Sequence, residues 1–305
     1  MPPHECVDFR RFDPSTFDAD NVYVIIVRYA SKAVTDWIRK NRQTLAGVAV
    51  FVDDDMAGLV LGHEASIAYR YRLLSQSLFP LRRLDGVIDE LWVSTPVLAE
   101  RLRYAKPLVL PPAPEMEAGV AGPIGATSGS VTIAYHATAI HVEEHRFLVP
   151  VIRAVLSARA HARFEVVAEG RTAQLWLATG LDRLTICQPL PWPDYLRESR
   201  RRQIDIMIVP VAPGEVNDCR AETKRIDIAR AGAAAVLSDC PAFRPSGEGE
   251  ILLAYHPDLW TEQLIELVDD PRLRAETAAA TRRQVEKMAA RALVGIEPKR
   301  PDRPV

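Results

Sequence analysis

Hydrophobic and polar positions along the chain follow two alternating patterns. Short runs rich in β-branched residues occupy positions 22–27, 48–52 and 91–93, and amphipathic stretches at helical spacing lie at about 31–42, 64–78 and 96–104. A second series follows, with strand-like runs at about 131–135, 163–167, 184–187, 205–209, 234–237 and 250–253. Helical patterns at about 143–158, 193–202, 218–231, 259–268 and 272–292 separate or follow them. Short continuous apolar runs suit strands buried on both faces of a parallel sheet, and their alternation with helices predicts the α/β class. The second series is long enough for a complete doubly wound sheet. The first has three or four clear strands and predicts a reduced version of the same Rossmann-like unit.

Between the two series, Pro111-Pro112-Ala113-Pro114 opens a segment rich in Pro, Gly, Ala and Ser that reads as a linker. The expected organisation is a reduced front domain over 1–115, a linker over 116–130, a second domain over 131–293 and a tail over 294–305. A length of 305 residues suits two domains. With 48% hydrophobic and 26% charged residues the composition is that of a globular protein. The formal charge of -2 gives no bulk attraction to nucleic acid, so an anionic ligand must be held locally. Cys6, Cys187, Cys219 and Cys240 are widely spaced and form neither a metal-ligand cluster nor a disulfide framework, which points to a reduced, cytoplasmic compartment. The chain has no run of about 18 apolar residues and no export signal at its start. Contact with a membrane surface is a weaker candidate, suggested by Arg70, Arg72, Arg82 and Arg83 interleaved with Tyr69, Tyr71 and Phe79.

In open parallel sheets ligands bind beyond the carboxyl ends of the strands. Neither G-x-G-x-x-G nor the Walker pattern follows any strand, so a dinucleotide oxidoreductase has no support. The most informative stretch runs from Asp205 to Gly232: a strand, a Pro/Gly loop, a cap at Asn217 or Asp218, and a helix ending at the glycine. On one continuous helix Arg220, Lys224 and Asp227 share a face. Two cations one turn apart repel by a few tenths of a kcal/mol unless an anion joins them, and a pyrophosphate at a helix amino terminus would do so. Asp227 would accept hydrogen bonds from a ribose or sugar hydroxyl. The spacing equally allows a surface pair of Lys224 with Asp227 and a solvated Arg220.

The order Asn217-x-x-Arg220-Ala221-x-x-Lys224-x-x-Asp227-Ile228-Ala229-x-x-Gly232 resembles the donor-binding segment of retaining GT-B glycosyltransferases. Other segments resemble that family in the same order: Val50 to Asp55, Leu91 to Leu98, Val131 to Glu144, Cys187 to Tyr195, Asp258 to Trp260, and Leu267 to Arg272. The resemblance implies two Rossmann-like domains of GT-B type, Arg220 and Lys224 near the donor phosphates, and Asp227 near the ribose. It also implies donor contacts from His136 and His141 after the first strand of the second domain, from Gln188 and Leu190 in a nucleobase loop, and from Asn217. Departures are Asp227 where many relatives carry Glu, Cys219 where they carry a second Glu, and Ala221 for Ser. Glu215 and Asp218 are the nearest stand-ins for the missing acid. The front domain also lacks the early strand and Gly-rich turn.

Other residues carry open alternatives. His63 would be a catalytic, acceptor-side group or an ordinary solvated histidine, and Asp227 is the second catalytic candidate. Asp53-Asp54-Asp55 would hold a divalent metal, cap the next helix, or line a cleft; the expectation is no metal. His141 and Glu144 would be donor contacts or a surface pair. The basic run 197–202 reads as a solvated helix end, and Trp192 and Tyr195 as packing or base-stacking aromatics.

The resulting expectation is a metal-independent, retaining glycosyltransferase that needs no cofactor beyond a nucleotide-sugar donor and acts on a glycan, lipid-linked or other acceptor. Alternatives are a non-catalytic nucleotide-sugar-binding partner subunit and a nucleotide-sugar isomerase on the same fold.

Overall fold

The computed structural model describes residues 3–62, 65–114, 129–137, 141–199 and 201–292. Most of the expected linker, the tail and His63 lie outside them. The described residues form two compact units, one holding those up to Pro111 together with Cys219–Ala221, the other holding the rest.

In the first unit the order is β1 (Tyr23–Val27), α1 (Lys32–Lys40), β2 (Gly47–Val52), α2 (Met56–Leu61), α3 (Ile67–Leu73), α4 (Phe79–Arg82), β3 (Glu90–Val93), α5 (Pro96–Arg101) and β4 (Leu108–Val109). A π-helical turn, Leu74–Leu78, joins α3 to α4. All four strands are parallel and pair in chain order β1-β2-β3-β4. Local chemistry sets the helix starts. Side-chain oxygens of Ser31, Asp55, Ser66 and Thr95 each accept from an orphan N–H of the helix they precede. The pattern reading missed α2, which has only six residues, too few for a helical period to register.

The second unit runs β5 (Val131–His136), α6 (Val142–Ala158), β6 (Ala162–Val167), α7 (Gly170–Leu177), β7 (Leu184–Cys187), α8 (Trp192–Ser199), β8 (Ile206–Val209), α9 (Glu215–Asp218), α10 (Lys224–Ala231), β9 (Ala234–Ser238), β10 (Ile251–Leu253), α11 (Pro257–Asp269) and α12 (Pro271–Ala292). Its six parallel strands lie in the order β10-β9-β8-β5-β6-β7. The chain winds outward from β5 through β6 to β7, returns to β8 on the other side of β5, and continues outward. That reversal places a topological switch point between β5 and β8. Alternate residues feed two cores. Ile133, Ile206, Ile208 and Val236 pack with Trp176 and Trp260 on one face, while Ala134, Met207, Val209 and Leu237 pack with Ile228 and Phe243 on the other.

One predicted element is corrected. The helix expected over about 218–231 is two pieces, α9 and α10, with 219–223 irregular between them. In a continuous helix the Cys219 carbonyl would accept from the N–H of Thr223. It accepts from the Thr95 hydroxyl at 2.9 Å instead, so the ladder stops there. Gly232 ends α10 as expected, in the left-handed conformation at φ 68°.

Candidate functional site

In the second unit, the carboxyl end of β5 meets the start of α10 beside the switch point. The Lys224 ammonium, in the first turn of α10, donates to the main-chain carbonyl of His136 at 3.0 Å, where β5 ends. It lies 3.4 Å from Asp227 Oδ2, so the i, i+3 pair that the spacing allowed is present. Asp227 also accepts from Arg230 at 3.0 Å. Its carboxylate therefore holds two cations of its own helix, one on each oxygen.

His136 closes β5 with its side chain almost fully buried. One ring nitrogen lies 2.9 Å from Glu165 Oε1 on β6 and the other 3.3 Å from the Tyr195 hydroxyl on α8. Both nitrogens are thus engaged by protein, and the ring positions Tyr195 rather than presenting an open ligand atom. Glu165 also accepts from Arg202 at 2.7 Å, and the same guanidinium donates to Cys187 Sγ at 3.0 Å. Burial alone would raise the Glu165 pKa; its hydrogen bonds from His136 and Arg202 outweigh that and hold it below the usual carboxylate range. Arg202, in the basic run read as solvated, is an internal member of this network. Neither Glu165 nor Arg202 carried a sequence signal, because no local spacing links residues 136, 165 and 202.

On the other side of the switch point, Glu144 of α6 accepts from the Ala212 N–H at 3.3 Å and lies 3.5 Å from His141 Nδ1. This pair is largely buried, unlike the surface pair considered from sequence. Burial pushes the Glu144 pKa up, and the His141 contact reverses this to a net lowering. Asn217 is buried in α9, its Nδ2 donating to Ala212 O at 2.8 Å. That bond identifies the other amide atom as the oxygen, and this Oδ1 has no hydrogen-bond partner among the described residues. A buried, unpartnered acceptor beside the strand ends is suited to a hydroxyl donor from a ligand.

After β7, Gln188 and Leu190 stand exposed on the loop leading to α8. Trp192 is exposed at the start of α8, stacked on Tyr195 with ring centroids 5.7 Å apart, and Arg230 lies 5.6 Å from the indole centroid. The indole and the guanidinium form a flat, partly cationic surface.

Arg220 belongs to the first unit, in the irregular stretch after α9. It therefore does not share a helix face with Lys224 and Asp227. Its charge acts on Asp54, whose pKa is raised by burial against the opposing pull of Arg220 and Arg28. Arg28 lies 3.2 Å from Asp53 and 3.1 Å from Asp54. Asp55 caps α2, accepting from Gly58 N at 2.8 Å, and pairs with Arg101. All three acidic residues are thus already matched by cations of the protein. Arg28 adopts φ 67°, uncommon for a residue with a side chain.

Beside Lys224 stands a basic residue that the motif reading passed over. Arg225 is fully buried and donates to both oxygens of Glu250 at 2.8 Å, to Phe243 O at 2.8 Å, and to Glu222. It anchors α10 to the loops around β9 and β10 and thereby fixes where Lys224 stands.

No family model matches the chain, and no curated protein matches it in sequence. Solved structures do match. The S. aureus TarM variant in complex with fondaparinux, α-GlcNAc-glycerol and UDP superposes with a TM-score of 0.56 at 10% identity, covering 81% of this chain and 50% of that one. OtsA gives 0.56 at 13% identity over 93% of this chain and 75% of that one. The pneumococcal O-GlcNAc transferase GtfA in complex with UDP and GlcNAc gives 0.50 at 13% identity over 87% and 53%. The chain has the GT-B type of fold, two Rossmann-like units with parallel sheets. It spans about half the length of TarM and GtfA.

Proposed function

We propose that this protein is a glycosyltransferase that takes its sugar from a nucleotide-sugar and binds that donor at the switch point of the second sheet. The observation that carries the reading is the Lys224 ammonium held at the end of β5 by the His136 carbonyl. A cation fixed in the first turn of a helix, next to strand ends, suits a diphosphate. The first-turn N–H groups of α10 add to the same field. As the bond from sugar to phosphate breaks, negative charge grows on the leaving diphosphate, and a cation already in position stabilises it without reorganisation. The indole of Trp192, beside Gln188 and Leu190, is the proposed nucleobase platform, and Asn217 Oδ1 the acceptor for a ribose or sugar hydroxyl. His136 and His141 act through the groups they hold, Tyr195 and Glu144.

Finer parts of the proposal are retention of configuration, independence of a divalent metal, and a glycan or lipid-linked acceptor. They rest on the family resemblance, as do the phosphate role of Arg220 and the catalytic role of Asp227. An acceptor-side catalytic role for His63 rests on its place after the Asp53-Asp54-Asp55 loop, and a cytoplasmic site of action on the widely spaced cysteines. Support also comes from the solved structures of similar fold, two of which were determined with UDP.

Thermal shifts with UDP, GDP and ADP and their sugars test the donor site, because a ligand that binds the native state raises its unfolding midpoint. One nucleotide should raise it, and Lys224→Ala should weaken that nucleotide's affinity roughly tenfold or more, the worth of a charge-assisted hydrogen bond. Undiminished affinity in Lys224→Ala would remove this residue from the site, and the absence of any shift would defeat the donor reading. A second reading, a nucleotide-sugar-binding partner subunit without turnover, is favoured by Cys219, a fully buried thiol where the related segment carries an acid. Slow hydrolysis of the bound donor separates the two, since an enzyme turns over and a binding subunit does not.

A further inference from the structure

The first unit carries a row of large apolar side chains that stand exposed among the described residues. Leu61 at the end of α2 is 80% exposed, and along the helical run from α3 to α4 Ile67, Tyr71 and Phe79 are 85%, 72% and 60% exposed. The opposite side of the run is in the core through Leu73, Ser77 and Pro80, with the Ser77 hydroxyl donating to the Arg28 carbonyl at 2.7 Å. Four-residue steps from 67 to 79 overshoot an ideal α-helical turn by about 40° each. The wider π turn at Leu74–Leu78 takes up part of that drift, so Phe79 stands exposed like Ile67 and Tyr71.

Charge distinguishes this row from ordinary surface. Between Ala65 and Leu84 there are four arginines and no acidic residue. Arg70 is turned inward to the Ala65 carbonyl at 3.0 Å and Arg83 pairs with Asp36 at 2.8 Å. Arg72 and Arg82 remain exposed, Arg72 lying 5.2 Å from the Tyr29 ring centroid. Tyr69 is half-buried. The structure thus sorts the interleaved basic and aromatic residues into those that anchor the helix and those that stand out from it.

We propose that this row is a docking surface for an anionic lipid bilayer, the helical run lying flat with Leu61, Ile67, Tyr71 and Phe79 in the headgroup–acyl boundary and Arg72 and Arg82 on lipid phosphates. An amphipathic helix with protruding apolar groups, an interfacial tyrosine and flanking arginines has the chemistry of in-plane membrane binding. A second copy of the chain is a poorer fit, because a two-fold contact would bring the acid-free stretch 65–84 against itself, with the exposed Arg72 and Arg82 of one copy facing those of the other.

Flotation of the purified chain with vesicles of phosphatidylcholine alone, or with phosphatidylglycerol added, tests this without any sugar nucleotide, so the outcome is independent of the donor reading. Binding is expected with phosphatidylglycerol, weakening as salt rises. Ile67→Asn with Tyr71→Asn should lower the partition coefficient roughly tenfold while the unfolding midpoint stays put, because both side chains are exposed. Arg72→Ser with Arg82→Ser should abolish the preference for phosphatidylglycerol. The proposal is overturned if the chain does not float with anionic vesicles at low salt, or if the apolar variant floats equally well. It is also overturned, in favour of self-association, if the chain sediments as a dimer that the apolar variant dissolves while neither binds vesicles.

Discussion

The two sheets are built from the same kind of strand yet are wound differently. In the first, parallel strands follow one another as β1-β2-β3-β4, and right-handed crossovers that always step the same way place their helices on one face. Ile25 and Val27 alternate onto the other face of β1 and are half exposed or more. In the second, the order β10-β9-β8-β5-β6-β7 reverses beside β5, and both faces are packed, each with its own core. The reversal does two things at once: it buries the central strands β8 and β9 on both sides, and it opens the gap between strand ends where Lys224 stands. Winding direction, rather than strand composition, separates a sheet that steps one way and leaves one face of its edge strand β1 exposed from a sheet that opens a gap between its strand ends.

Substitutions in each sheet probe this contrast. The largest effect is expected at Arg225, whose removal would leave Glu250 buried without its cation. Arg225→Ala should cost about 3–5 kcal/mol in the urea-unfolding transition of the second unit. An equal loss in the first unit's transition would break the separation of the two.

Acid should act on the second unit next. His145, fully buried on α6, accepts a hydrogen bond from Trp176 Nε1 at 2.8 Å through Nδ1, so the neutral ring carries its proton on Nε2. Burial first, and then the His141 charge, push its pKa down from 6.5 to about 4. The unfolded chain takes up a proton near pH 6.5 and the folded unit resists until about 4. The stability from the neutral ring is therefore complete above the unfolded value and is lost as pH falls across that window. The loss should amount to roughly 3 kcal/mol. His145→Phe should flatten the pH dependence of the unfolding midpoint; an unaltered profile would assign the acid loss elsewhere.

The smallest effect is expected in the first sheet. Ile25→Thr should alter stability by no more than about 0.5 kcal/mol, since that side chain is half in water already. A loss of about 2 kcal/mol would mean that the exposed face of β1 is packed in solution and would sharpen the contrast into a question of what covers it.

Much of this architecture was legible from pattern. Ile206–Val209 is apolar at every position, and β9 at every position before Ser238, because both sheet faces bury them, and periodicity reports that directly. The helix end at Gly232 followed from local chemistry. The site was legible only in part. Lys224, Asp227 and His136 come together at one strand end, but Arg220 was placed on a helix that is interrupted before it, because a hydroxyl at position 95 takes the carbonyl of Cys219. No pattern near 219 encodes that bond. His63 lies outside the described residues, and α2 was missed for its brevity.

Lys224 and Arg225 mark the boundary between the two kinds of information. Sequence alone determined that two parallel α/β units would form and where most of their strands run, because hydrophobic period acts over a few neighbouring residues. The helix start after β8 was not so determined, since Asn217 and Asp218, read as its cap, lie inside α9 and α10 begins at Lys224. Which of two adjacent cations would point to the strand ends, and which would be walled in by Glu250 and Glu222, was decided only when α10 packed against the sheet. The phase of a short helix around its own axis is set by what it buries, and its partners come from residues distant in the chain.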